Sequence, residues 1–288
     1  MSDVRPRRSV LYLPASNERA LEKAKTLPVD ALILDLEDAV APEAKAVARE
    51  QACAAVASGA YGVRELTVRV NGLGSAWYDD DLAAVCAAGP EAIVVPKVDG
   101  ADDVRLLVET MEVAGAPSRT ALWVMVETPR AVLDCAAIAS ASPRLTVLVL
   151  GTNDLVKELN ARVVPGRAPL VTALSLAVLG ARAAGVAVLD GVFNDVRDEE
   201  GFAAECRQGR ELGFDGKTLI HPGQVATANR VFAPSDEEVA TARRTIQAFD
   251  AARAEGRGVA TLDGRLVESL HVDSAHRVLA MHAAVTSR

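Results

Sequence analysis

The chain has 288 residues, of which 50% are hydrophobic, 24% charged and 3% aromatic. At roughly 150 residues per domain, that length allows two domains or one α/β barrel, and the apolar content excludes a disordered chain. The formal net charge of −8, with Lys and Arg scattered apart from Arg5, Arg7 and Arg8, argues against a nucleic-acid surface.

Short β-rich apolar runs and helix-like segments alternate along the chain. The first strand is predicted over 10–14 and is followed by a helix over 17–27 capped by Ser16. A strand over 31–37 leads to a helix over 42–57, with Pro42 in its first turn. Then come strand 65–71 and helix 79–88, strand 92–98 and helix 101–114, and strand 121–127 and helix 129–140. Strand 145–151 and helix 169–184 follow, then strand 186–192 and helix 198–212, and strand 214–222 and helix 223–232. Gly185 and Gly213 stand where helices stop before the next strand. Runs such as LILDL, IVVPKV and LWVMVE are continuously apolar, which means burial on both faces of a parallel sheet. Eight strands alternating with eight helices is the pattern of a (β/α)8 TIM barrel. A doubly wound sheet is the alternative, but no GxGxxG or GxxxxGK[ST] is present.

The barrel is expected to fill residues 1–233. Residues 234–288 follow as a C-terminal helical arm or lid, with helices over 236–255 and 272–285 around a glycine-bearing stretch at 256–264. With so few aromatic residues, the barrel core should be built from small branched side chains. No apolar run reaches the roughly 18–20 residues of a membrane helix. The basic N-terminus precedes an apolar run too short for a secretory signal. Cys53, Cys86, Cys135 and Cys206 form no CxxC, so neither a disulfide scaffold nor a zinc knuckle is indicated, and a reducing cytoplasm is the simple reading.

In a barrel of this kind the chemistry lies at the C-terminal ends of the strands. Those ends read Asp35-Leu36-Glu37-Asp38, Arg69-Val70-Asn71-Gly72, Pro96-Lys97, Glu127-Thr128-Pro129, Gly151-Thr152-Asn153-Asp154, Asp190-Gly191, and Asp215-Gly216-Lys217 with His221-Pro222. Several carboxylates, one histidine and no cysteine suit a hard cation such as Mg²⁺ rather than zinc. Glu127 and Asp154 are the candidate metal ligands, though each could instead only cap its following helix. The acidic run at 35–38 could favour a helix dipole, or it could orient Arg69 and bind metal waters. Arg69, flanked by apolar residues, needs an anionic partner or offers a fork to a substrate oxygen. Lys97 reads as a salt-bridged lysine or a Schiff-base candidate, and His221 as a hydrogen-bonded structural histidine or a catalytic one. No GxSxG elbow supports a serine triad.

The segments SVLYLPASNERALEKA (9–24), LDLEDAVAPEAKAVAR (34–49), VRVNGL (68–73), VPKV (95–98), VMVETP (124–129), LGTNDL (150–155), LDGVFNDVRDEEGF (189–202) and GFDGKTLIHPGQV (213–225) together resemble the HpcH/HpaI aldolase and citrate lyase β-subunit-like family. Within it they are most similar to the malyl-CoA and citramalyl-CoA lyase group. The resemblance spans nearly the whole chain. It implies a (β/α)8 barrel assembled as a homotrimer or hexamer, with no nucleic-acid or membrane partner. It also implies Mg²⁺ on Glu127 and Asp154, with a CoA thioester as substrate. Arg69 would contact the acid or thioester oxygen, Glu37 and Asp38 would form the acidic pair near the metal, and Asn153 would lie at a substrate-contacting backbone position. Asp190 and Gly191 would line the acyl pocket, and Tyr12 and Lys23 would bind CoA or substrate.

In the tail, Leu262-Asp263-Gly264-Arg265-Leu266-Val267-Glu268 departs from the family's LDGKMID-like segment. Glu268 replaces the aspartate expected to act as base, and a displacement of about 1 Å at a base can cost about 10²-fold. The implied reaction is retro-Claisen cleavage of a 3-hydroxyacyl-CoA to an α-keto acid and an acyl-CoA. Attack by water would instead make the protein a malyl-CoA thioesterase. A carrier-protein-dependent subunit is a further reading. An aldolase on free acids is disfavoured by Met125, where that branch carries glutamine.

Overall fold

A computed structural model describes residues 5–287. Eight parallel strands close into a barrel in chain order. They are β1 (Ser9–Pro14), β2 (Ala31–Asp35), β3 (Glu65–Arg69), β4 (Ala92–Val95), β5 (Ala121–Val126), β6 (Leu145–Leu150), β7 (Ala187–Asp190) and β8 (Gly216–Leu219). The (β/α)8 expectation is met. The strand bodies are buried almost throughout, as the continuous apolar runs require.

Around the barrel run α1 (Glu18–Ala24), α2 (Lys45–Ser58), α3 (Tyr78–Ala88), α4 (Ala101–Val113), α5 (Pro129–Leu133), α6 (Cys135–Ala139), α7 (Thr152–Glu158), α8 (Val171–Ala184), α9 (Glu199–Leu212) and α10 (Val225–Phe232). Two of these differ from the sequence expectation. The single helix over 129–140 breaks at Asp134, where φ −98° and ψ 9° leave the helical range. Helix α7 was not expected, because its seven residues are too few to display an apolar period.

The barrel interior holds Val10, Ile33, Val94, Trp123, Met125, Val147, Val149 and Leu189. Most are small and branched, as expected. Trp123 is the exception: it is fully buried in the centre, with the Arg7 guanidinium 5.3 Å from its ring centroid. Forked ion pairs lie at the N-terminal end of the barrel. Arg7 holds Glu65 at 2.6 and 2.8 Å, and Arg8 holds Asp30 at 2.8 Å through both oxygens.

The chain divides into two compact units, Arg7–Asn229 and a smaller one made mainly of residues from Arg230 onward. The smaller unit contains α11 (Asp236–Ala254), β9 (Ala260–Leu262), β10 (Arg265–Val267) and α12 (Ser269–Thr286). Ser235 caps α11 reciprocally with Glu238. The glycine-bearing stretch forms a hairpin whose turn residues, Asp263 and Gly264, have φ 49° and 77°. Positive φ at both central residues is the type I′ signature, and Asp-Gly is its common sequence. No described helix is long and apolar enough to cross a membrane.

Candidate active site

Strand register brings the candidate groups together. Asp35 and Arg69 are register partners on β2 and β3. Their side chains form a fork, Arg69 Nε to Asp35 Oδ1 at 2.7 Å and Nη2 to Oδ2 at 2.6 Å. Asp35 also accepts the N–H groups of Glu37 and Ala39 at 2.9 and 3.1 Å, which turns the chain sharply after β2. That turn aims Glu37 at Arg69 Nη1, 2.8 Å away. Asp38 stays exposed, 4.0 Å from the same nitrogen. Burial alone would lower the pKa of Arg69, but Asp35 outweighs it and holds the group firmly cationic. The guanidinium lies 4.9 Å from the ring centroid of Tyr12, and the Tyr12 hydroxyl points at Met125 Sδ, 3.8 Å away. Burial pushes the Tyr12 phenol well up, so it remains neutral.

Lys45 was not anticipated as part of this arrangement. Its buried ammonium donates to the carbonyls of Leu36 and Glu37 at 2.7 and 2.8 Å and to Asn71 Oδ1 at 2.7 Å. It therefore fixes the acidic turn from beneath. A lysine in the first turn of a surface helix carries no sequence signal of that role.

Lys97 takes the salt-bridged alternative. Its Nζ lies 2.8 Å from Glu37 Oε1, and its backbone N–H donates to Glu127 Oε1 at 2.7 Å. Its φ of 55° lies in the left-handed region, which is uncommon outside glycine and concentrates at functional sites.

Glu127 is 2% exposed. It does not cap α5, because Thr128 does so by accepting the Ala131 N–H at 3.0 Å. Burial raises its carboxyl pKa to about 7, helped by the charges of Glu37 and Asp154 and opposed by the Lys97 N–H. Asp154 sits half-buried in the first turn of α7 and has no hydrogen-bond partner among the described residues. A Cβ on Gly151 would fall 2.4 Å from both Cβ and Oε2 of Glu127. Glycine is therefore required for β6 to pass under this carboxylate. Gly151→Ala should push Glu127 aside and cut turnover by about 10²-fold while the fold survives, a result read from circular dichroism beside kinetics.

The donor set fits a hard divalent cation. It offers two carboxylates with an uncompensated charge, and Mg²⁺ characteristically takes one or two carboxylates together with waters and substrate oxygens. Among the described residues no three His, Cys, Asp or Glu side chains converge into a closed cage. Because the Glu127 pKa is raised on folding, its contribution to stability falls as pH rises from about 4.5 towards 7. A cation at the site would relieve that penalty. Thermal melts should therefore show a larger Mg²⁺-induced rise at pH 8 than at pH 5.5.

The remaining candidates form no hydrogen bond to this cluster among the described residues. Asp190 was expected to line an acyl pocket. Its carboxylate is fully buried instead, 2.9 Å from Lys217 Nζ and 2.7 Å from Arg167 Nη1, and it also accepts the Gly191 N–H. Burial would raise its pKa, but Lys217 and Arg167 hold it low. Its side chain is fully engaged as a structural hub. Arg167 and Glu205 complete this network, and nothing local in the sequence marked either. Gly191 packs on Thr152, whose Oγ1 lies 2.4 Å from where a Cβ would be. The Asn153 side chain exchanges hydrogen bonds with Asn194 at 3.2 and 2.7 Å. Lys23 is exposed on α1 and bonds none of the other candidates. His221 is exposed and accepts the Gly223 N–H through Nδ1, in line with the structural alternative. Glu268 belongs to the smaller unit, half-buried at the start of α12, where its N–H donates to His271 Nδ1 at 3.0 Å.

The family model for HpcH/HpaI aldolase/citrate lyase matches residues 8–222. The chain belongs to this family. It is an enzyme of this aldolase and citrate lyase type. A (3S)-malyl-CoA thioesterase of Cereibacter sphaeroides (strain KD131) is 49% identical over 282 residues, covering 98% of this chain and 96% of that relative. The citrate lyase subunit beta of Escherichia coli (strain K12) is 37% identical over 280 residues, covering 96% of this chain and 93% of that relative. Among solved structures, CitE from Mycobacterium tuberculosis in complex with magnesium, acetoacetate and coenzyme A superposes with a TM-score of 0.76 at 30% identity, covering 96% and 97% of the two chains. A citrate lyase from Burkholderia xenovorans, at 23% identity with a TM-score of 0.86, shares the fold over 99% of this chain and 93% of its own.

Proposed function

We propose that the chain hydrolyses a malyl-CoA-type thioester in a Mg²⁺-dependent reaction, with Glu127 and Asp154 holding the metal. The observation that carries this reading is the pair of crowded, uncompensated carboxylates just beyond neighbouring strands β5 and β6, Glu127 directly after β5 and Asp154 in the first turn of α7, with Arg69 fixed beside them. The near-complete match to a (3S)-malyl-CoA thioesterase favours hydrolysis as the outcome. When bound, Mg²⁺ would supply Lewis-acid polarisation of the substrate oxygens.

The chain's own residues would do the rest. Arg69 has five N–H groups, of which two go to Asp35, while Nη1 forms an ion pair with Glu37 at 2.8 Å. One more faces the weak acceptor Met125 Sδ at 3.6 Å, so donor capacity remains for an oxygen that gains negative charge. Asp35 keeps that guanidinium from moving as charge develops. Lys97 separates Glu37 from Glu127 by bonding both. Tyr12, neutral and stacked on Arg69, shields the ion pair from water on one face. Lys23, exposed on the same βα unit as Tyr12, suits an anionic part of CoA.

A second reading is retro-Claisen cleavage at the same site, favoured by the family's lyase character and by the citrate lyase subunit beta relative. The two differ in product. Incubation of (3S)-malyl-CoA with Mg²⁺ should release malate and free CoA. Glyoxylate and acetyl-CoA would support the lyase reading, and no metal-dependent turnover of either kind would defeat both. A cytosolic homo-oligomer belongs to this proposal. The cysteines are all free, which suits a reducing compartment, and sedimentation of the purified chain tests assembly.

A further inference from the structure

One cavity near the candidate site is not used by any step above. It encloses about 510 Å³ between α7, the connection at 161–170 and α9. Ligand pockets run from roughly 300 to 1,000 Å³. A single water occupies only about 30 Å³, so the space far exceeds what a methyl group needs.

Its position ties it to the site. Thr152 and Asn153 line it, and Asp154 is the next residue in the chain. Its lining also narrows the ligand. Several polar groups in the wall already bond one another. Asn153 pairs with Asn194, Asp198 accepts the Gly201 N–H at 2.8 Å, and Arg167 directs Nε to Gln208 at 2.9 Å and Nη1 to Asp190. Beside Arg162, Asp195 and Glu205, most of what they leave is apolar surface from Val156, Val163, Val164, Leu170, Val192 and Phe193. Phe193 is braced by Phe202, 5.8 Å away between centroids. Exposed apolar surface of this extent beside a site gains most from an apolar occupant.

We infer that this cavity receives an alkyl substituent of the substrate's acid portion, longer than methyl. The inference rests on the thioester reading above and deepens it. The preferred substrate would be a hydroxyacyl thioester whose acid carries a neutral chain of several carbons.

The test is calorimetric binding of malate and of 2- and 3-alkylmalates from methyl to butyl, with Mg²⁺ present. One of the two alkyl series should bind about fourfold tighter for each added methylene. Ala204→Phe and Val163→Trp, at exposed lining positions outside the catalytic cluster, should abolish that gain and leave the affinity for malate unchanged. Malate binding with flat affinity along both series would overturn the cavity assignment alone, as would an intact gradient in both filled variants. Failure of malate and every alkylmalate to bind would overturn the thioester reading and this inference with it.

Discussion

Glu127→Gln should lose turnover by about 10³-fold or more, since removal of a metal-held carboxylate forfeits several kcal/mol of transition-state stabilisation. The same variant should be more stable than the parent in metal-free buffer at pH 8. Burial and the charges of Glu37 and Asp154 raise the Glu127 pKa to about 7, so above that pH the folded protein carries an unfavourable charge. Glutamine imitates the protonated form and removes that penalty. Stability gained together with activity lost would mark a site that stores electrostatic strain for function. The Mg²⁺-induced rise in melting temperature should disappear as well. A variant melting below the parent would show that Glu127 is a structural group.

Asp190→Ala should destabilise the barrel unit by about 3–5 kcal/mol, the typical cost of removing one partner of a buried pair. For a unit of this size, that lowers Tm by on the order of 10 °C. Lys217 is completely buried and would retain Glu205 at 2.7 Å, with Arg167 ion-paired to the same carboxylate at 3.5 Å. One carboxylate would then serve two cations. Arg167 already has one buried nitrogen, Nη2, with no hydrogen-bond partner among the described residues, so the network shows no spare acceptor. If Asp190 contacted substrate instead, the variant would change KM while melting near the parent temperature.

How far the sequence reveals this molecule depends on the range of each signal. Strand positions were legible because continuous runs such as LWVMVE admit burial on both faces. The ends of those strands were legible as a ring of polar residues, since the fold places them on one face. Pairing within the ring was not. The Asp35–Arg69 fork follows from register between β2 and β3, and the Asp190–Lys217 pair from register between β7 and β8. Register is a property of two strands, so neither strand alone discloses it. Lys45 and Arg167 lie further from view, because each reaches the acidic groups from outside the barrel strands. The hairpin at Asp263-Gly264 was open to detection, since the turn pair was present and only its flanking strands were short. Trp123 shows the limit of composition. A low aromatic fraction describes the average core and does not say where an individual large ring goes.

We propose that Glu127 and Asp154 together hold a divalent cation at the mouth of the barrel. Crystals of the protein soaked with Mn²⁺ in place of Mg²⁺ test it directly by anomalous scattering. One strong peak is expected within coordination distance of both carboxylates, lost in Glu127→Gln. A peak elsewhere, or none at these two residues under saturating Mn²⁺, would contradict it.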